Sequence, residues 1–180
     1  MTFLPEPAVV RRCLRLGAAA AAFFTLCGTA QADAYSEVAA LIRSGNTAKA
    51  LEQAQQYLTT NPRDPQMRFL QGSAQSQAGD TAAAVQTWTQ LTEEYPELPE
   101  PYNNLAVIYA SQGKLEQARS ALQSAVRNNP EYPVAYENLG DVYLRLAHEA
   151  YTQSIKLQGA QPALQRKLQG LQSVLQLGQP

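Results

Sequence analysis

Few residues of this chain could take part in bond-making chemistry. It has one histidine, His148, followed by Glu149. A helical zinc pair needs a second histidine one turn away, and none exists, so His148 and Glu149 form no metal site. Glu93, Glu94, Glu97 and Glu100 crowd around Pro96 and Pro99, which marks a solvated turn better than a pair of catalytic carboxylates. No Ser, His and Asp fall at a spacing that supports a nucleophile, and no glycine-rich loop could cradle a phosphate. The formal net charge of −1 gives no concentrated basic face for nucleic acid. The chain therefore reads as a non-enzyme with no cofactor, no metal and no nucleic-acid partner.

Its two thiols, Cys13 and Cys27, both lie in the first 32 of 180 residues, a stretch unlike the rest. Arg11, Arg12 and Arg15 form a basic segment, residues 16–26 an apolar run, and Ala30-Gln31-Ala32 a small-x-small triplet just beyond. That is the layout of a cleavable secretory signal, expected to be cut after Ala32. The apolar run is shorter than the ~20 residues that span a bilayer, which disfavours a membrane anchor. Cys13-Leu14-Arg15-Leu16 fits a twin-arginine signal poorly, and Leu26 stands where a lipoprotein signal carries a small residue before its cysteine. Cleavage would remove three arginines and Glu6, taking the net charge from −1 to −3. It would also leave no disulfide, no thiol nucleophile and no sulfur ligand. The location expected is outside the inner membrane, in the periplasm, with no membrane contact after cleavage.

The remaining residues must be positioned by something, and the sequence repeats with a period of 34. Gly45, Gly79 and Gly113 keep that step, as do Ala50, Ala84 and Ala118. So do Pro62, Pro96 and Pro130, and Pro65, Pro99 and Pro133. Tyr102 pairs with Tyr136, Leu105 with Leu139, and Tyr109 with Tyr143. Glycine suits the left-handed residue just past a helix end. Proline suits the first turn of the next helix, where its missing N–H costs nothing. Apolar residues at steps of three and four make one stripe per helix, which a lone hairpin cannot bury, so hairpins must stack.

These residues resemble the tetratricopeptide repeat (TPR). The third repeat is nearly complete: Tyr102, Leu105, Ala106 and Tyr109 on a first helix, Gly113 in the turn, Ala118, Leu122 and Ala125 on a second, and Pro130 at the close. The second keeps Gly72, Gly79, Ala84, Trp88, Leu91 and Pro96. The first keeps only Gly45, Ala50, Tyr57 and Pro62. The resemblance implies an all-α, right-handed α-solenoid. Its repeats would cover about 33–64, 65–98, 99–132 and 133–158, within one domain from 33 to 180. It also places Trp88, Tyr102, Tyr109, Tyr136 and Tyr143 in the core.

The fourth repeat departs from the pattern. After Tyr136, Leu139, Gly140 and Tyr143 the turn glycine is replaced by Ala147. Ala147, Tyr151 and Ser154 realign with the second-helix pattern only if five residues, the turn itself, are missing. No Gly or Pro stands between Gly140 and Gly159. One unbroken helix over about 134–157 is predicted instead of a hairpin. Beyond Pro162, Leu164, Leu168, Leu171 and Leu175 mark an amphipathic closing helix over about 163–177. It would cap the stack, or dock a partner helix on Leu168 and Leu175.

In the TPR family the first helices line a concave groove that holds protein ligands. The resemblance places Phe69, Ser73 and Ser76 there from the second repeat, and Glu100, Asn103, Asn104 and Val107 from the third. From the fourth it places Glu137, Asn138, Asp141, Leu144 and Arg145. Asn side chains both donate and accept, so they could pair with an extended peptide backbone, or Asn104 and Asn138 could support hydrogen bonds between repeats. Family members that clamp a terminal carboxylate use Lys and Arg in the groove. Here Glu100 and Glu137 stand there without matching lysines, which favours a neutral or mildly basic segment. The function expected is a periplasmic binding module or scaffold for a peptide or protein. Two alternatives are an accessory that recruits an enzyme to cell-wall or outer-membrane assembly, and a structural homo-oligomer built through the C-terminal helices.

Overall fold

A computed structural model describes residues 32–159 and 161–177. The expected leader lies, apart from Ala32, outside the described residues. Eight helices and no strand stand among the described residues. The first, α1, covers 32–43. Then follow α2 (Thr47–Thr60), α3 (Pro65–Gln77), α4 (Thr81–Glu94), α5 (Pro99–Ser111), α6 (Leu115–Asn128), α7 (Pro133–Gln158) and α8 (Pro162–Leu177).

The turns show why the 34-residue step builds hairpins. Gly45, Gly79 and Gly113 all take positive φ, between 74° and 86°. Each closes its helix in the same way. In the third hairpin Lys114 N–H donates to Tyr109 O at 2.9 Å and Gly113 N–H to Ala110 O at 3.1 Å, a Schellman pair that satisfies the last carbonyls. Pro65, Pro99 and Pro133 open α3, α5 and α7. Asp64 adds a side-chain cap to α3, its Oδ1 accepting from Met67 N–H at 2.9 Å.

Each helix packs on its neighbours in order, so the core is a row of linked clusters. Ala50, Ala84, Ala106, Ala118, Ala125 and Ala135 are fully buried and let helices approach closely. Trp88 fills the space over Gly72. Polar clasps join the repeats. Asp64 Oδ2 accepts from the hydroxyls of Tyr35 (2.5 Å) and Tyr57 (3.2 Å), tying α1, α2 and the start of α3 together. Burial, then the hydrogen bond to Asp64, pushes the Tyr35 phenol well above its ordinary range.

The fourth repeat has no turn. α7 runs unbroken for 26 residues, about 39 Å at ~1.5 Å per residue. One expectation fails there. Trp88 is buried, and Tyr102 and Tyr109 are partly buried against the core. Tyr136 and Tyr143 are 49% and 46% exposed. The physical reason is the lost turn: the helix that would fold back over them continues outward as the end of α7. The closing helix packs on α7, and none of its described side chains is fully buried.

Candidate protein-binding groove

The first helices α3, α5 and α7 carry the residues that the repeat pattern assigns to the groove, and the structure divides them into three groups. In the second repeat, Phe69 lies half-buried with its ring 6.3 Å from that of Trp88. Ser73 turns its hydroxyl onto the Phe69 carbonyl at 3.0 Å, bonding within its own helix. These two residues line no part of the cavity described below.

The asparagines form the second group. Asn103 is 4% exposed, on α5. Its Oδ1 accepts from Asn138 Nδ2 on α7 at 2.8 Å, and its Nδ2 donates to Asn104 Oδ1 at 3.3 Å. A buried amide must be satisfied, and this chain of three satisfies Asn103 on both sides. Asn103 thus ties the third repeat to the fourth, and Asn138 is its partner across the repeat boundary.

The third group makes a site. Val107 on α5 and Asn138, Asp141, Leu144 and Arg145 on α7 line one cavity of about 770 Å³. Val107 is 50% exposed, and Asp141 is exposed. Glu137 is exposed on the same helix, one residue before Asn138. The repeat pattern did not foretell the remaining wall: Val174 and Leu175 of α8 close the cavity on the far side. The leucine spacing announced α8, but not where on α7 it would settle. The site joins an apolar floor to a rim with an amide, a carboxylate and a guanidinium. Such a concave, mostly apolar pocket with a few polar groups holds an apolar side chain and orients what flanks it.

Glu94 receives two hydrogen bonds from Arg68, at 2.7 and 3.0 Å, joining α4 to α3. Those bonds hold the Glu94 carboxyl below its ordinary pKa. Burial, then the nearby Glu100 carboxylate, raises the Tyr132 phenol. His148, Glu149 and Lys156 border a shallow surface depression on α7. Among the described residues no group of His, Cys, Asp and Glu could hold a metal ion, and no helix is long and apolar enough to cross a membrane.

Comparison with known proteins agrees with this geometry. Residues 35–99 match a tetratricopeptide-repeat family model and residues 108–146 match a second TPR model. The TPR repeat-containing thioredoxin TTL4 of Arabidopsis thaliana is 33% identical over 75 residues, 42% of this chain and 11% of that protein. Photosystem I assembly protein Ycf3 of Synechococcus sp. (strain CC9311) is 31% identical over 78 residues, 42% of this chain and 45% of that one. The chain thus spans less than half the length of these relatives. A thermophilic TPR protein of Thermus thermophilus shares the fold at a TM-score of 0.58 and 25% identity, over 81% of this chain and 82% of that one. The type III secretion chaperone SycD of Yersinia enterocolitica, solved with a peptide of the translocator YopD, shares it at 0.56 and 18% identity, over 63% and 92%. The 34-residue period, the glycine turns, the stacked hairpins and two family models meet in one conclusion: the chain belongs to the tetratricopeptide-repeat family, whose stacked hairpins serve as protein-interaction modules.

Proposed function

We propose that the chain is a periplasmic interaction module that holds a segment of a partner protein in the groove formed by α5, α7 and α8. The observation that carries this reading is the 770 Å³ cavity, where Val107, Leu144, Val174 and Leu175 meet Asn138, Asp141 and Arg145. An apolar side chain of the partner enters the cavity. The flanking backbone pairs with the amide rim, because Asn138 spends its nitrogen on Asn103 and keeps an oxygen that accepts. Glu137 and Asp141 set the sign of the field, so the segment is neutral or mildly basic and is not a terminal carboxylate. SycD, a stack of similar fold, binds a peptide, which supports this use of the surface. Export is supported by Arg11, Arg12 and Arg15, the apolar run that follows and Ala30-Gln31-Ala32.

Reversing Glu137 and Asp141 to lysine tests the groove. The expected result is loss of the co-purifying partner, while Gln117→Lys on α6 leaves it bound. Equal recovery by all three proteins would defeat the groove reading. Sequencing the N-terminus of chain recovered from the periplasm tests export: it should begin at Asp33, and an intact Met1 would contradict cleavage.

A further inference from the structure

One face of α7 differs from the same face of the two preceding repeats. Gly72, Ala106 and Gly140 hold the same repeat position. Trp88 covers Gly72 so closely that an added Cβ would come within 3 Å of its ring, and Ala106 is fully buried. A Cβ at Gly140 would meet nothing within 4 Å. Tyr136 and Tyr143, on either side of Gly140, are about half exposed where Tyr102 and Tyr109 are partly buried against the core. α8 leaves this face open.

The segment that should cover the face is still in the chain. Ala147, Tyr151 and Ser154 keep the spacing of Ala118, Leu122 and Ala125, which do cover the third repeat. Without its turn that segment has become the end of α7 and projects away from the face it would cover. A continuous helix cannot fold onto itself, so the covering segment of one chain can reach only the face of another.

We propose that two copies exchange the second half of α7, residues 147–158 of each lying antiparallel on Tyr136, Gly140 and Tyr143 of the other. The register that lays Trp88 over Gly72 lays Tyr151 of one copy over Gly140 of the other and sets small Ala147 beside it. Tyr136, Gly140, Tyr143, Ala147, Tyr151 and Ser154 follow one another at steps of four and three, so they form a single stripe. An antiparallel pair of such stripes matches itself about a two-fold axis between Tyr143 and Ala147, which a closed dimer requires. The stripe carries no charge, so no like charges oppose each other across the axis. Lys167 lies 5.6 Å from the Tyr151 ring centre at one of its faces, and the ring is only half-buried. Loss of a hinge loop is a recognised route to exchange of identical elements. The stripe lies on the side of α7 away from Asn138 and Arg145, with Leu144 between it and the groove.

Light scattering of the full chain at rising concentration should pass from one chain mass to two. Gly140→Arg should hold it at one, with unchanged circular dichroism and, at low protein concentration, a melting temperature that does not fall, because nothing in the single chain lies where the new side chain goes. Placing cysteines at Gly140 and Ala147, with Cys13→Ser and Cys27→Ser, should give a disulfide between positions 140 and 147 of different chains. Within one helix those positions lie about 10 Å apart, too far to bridge. A chain that stays at one mass at every concentration overturns the proposal, whether a different protein or a refolded hairpin covers the face. So does a dimer that survives Gly140→Arg, or one without the 140–147 crosslink.

Discussion

Gly72 and Gly140 occupy one repeat position in two environments, and the same substitution should act on them with opposite sign. Alanine in a helix interior is favoured over glycine by about 1 kcal/mol. At Gly140 nothing lies within 4 Å of the new Cβ, so Gly140→Ala should stabilise by about that amount. At Gly72 the new methyl would stand 2.8 and 2.9 Å from Cε2 and Cδ1 of Trp88. Trp88 is 3% exposed and its Nε1–H donates to the Phe69 carbonyl at 3.4 Å, so the ring cannot swing into solvent. Overpacking a full core costs about 1–3 kcal/mol, which outweighs the propensity gain. Gly72→Ala should therefore destabilise, and the two variants should differ by about 1–3 kcal/mol, the overpacking cost alone, because the propensity gain is common to both. Urea titration at low protein concentration reads both. Circular dichroism follows every helix, and the fluorescence of Trp88, the chain's one tryptophan, follows the second repeat. If Gly72→Ala stabilises as much as Gly140→Ala, the seating of Trp88 on Gly72 is wrong, and so is the contrast between a covered and a bare repeat face.

Asp64→Ala removes the cap of α3 and the shared acceptor of Tyr35 and Tyr57, and should cost about 1–3 kcal/mol in urea titration, with Asp64→Asn costing less. Gly113→Val forces a β-branched residue to φ 74° and should lower stability by about 1–2 kcal/mol by the same measurement. The Glu94 carboxyl sits below its ordinary 4.5 because Arg68 hydrogen-bonds it, so its contribution is present above pH 4.5 and lost as pH falls through the lowered value. Thermal melts should decline on acidification, and less steeply in Glu94→Gln. The Tyr35 phenol sits above its ordinary 10.0, so its contribution is present below pH 10.0 and declines as pH rises beyond it. Tyr35→Phe should flatten the alkaline side of the melting profile.

The sequence announced the features that depend on local backbone chemistry. The glycine turns, the prolines at the starts of α3, α5 and α7, and the unbroken α7 follow from which residues permit or forbid a helix at each point. Features that depend on which helix lies against which were not legible. Tyr136 and Tyr143 have the residue types of a core, and only the position of the absent covering helix exposes them. Asn103 has the type of a groove ligand, yet the crossing of α5 and α7 buries it as a link between repeats. Val174 and Leu175 became a wall of the cavity because α8 settles on the groove side of α7, a choice that no spacing within α8 records. The pairing of Arg68 with Glu94 joins residues 26 apart in sequence, so composition showed only a cluster of acids near two prolines.

The central claim is that a partner enters the cavity between α5, α7 and α8. A photo-reactive amino acid at Val107, expressed in the native cell and irradiated, tests it most directly. The account predicts a discrete adduct whose crosslinked partner residues are apolar and flanked by neutral or basic ones. That adduct should vanish with Asp141→Lys and be absent when the same probe sits at Gln117 on α6. No adduct at Val107, or the same adduct from Gln117, would contradict it.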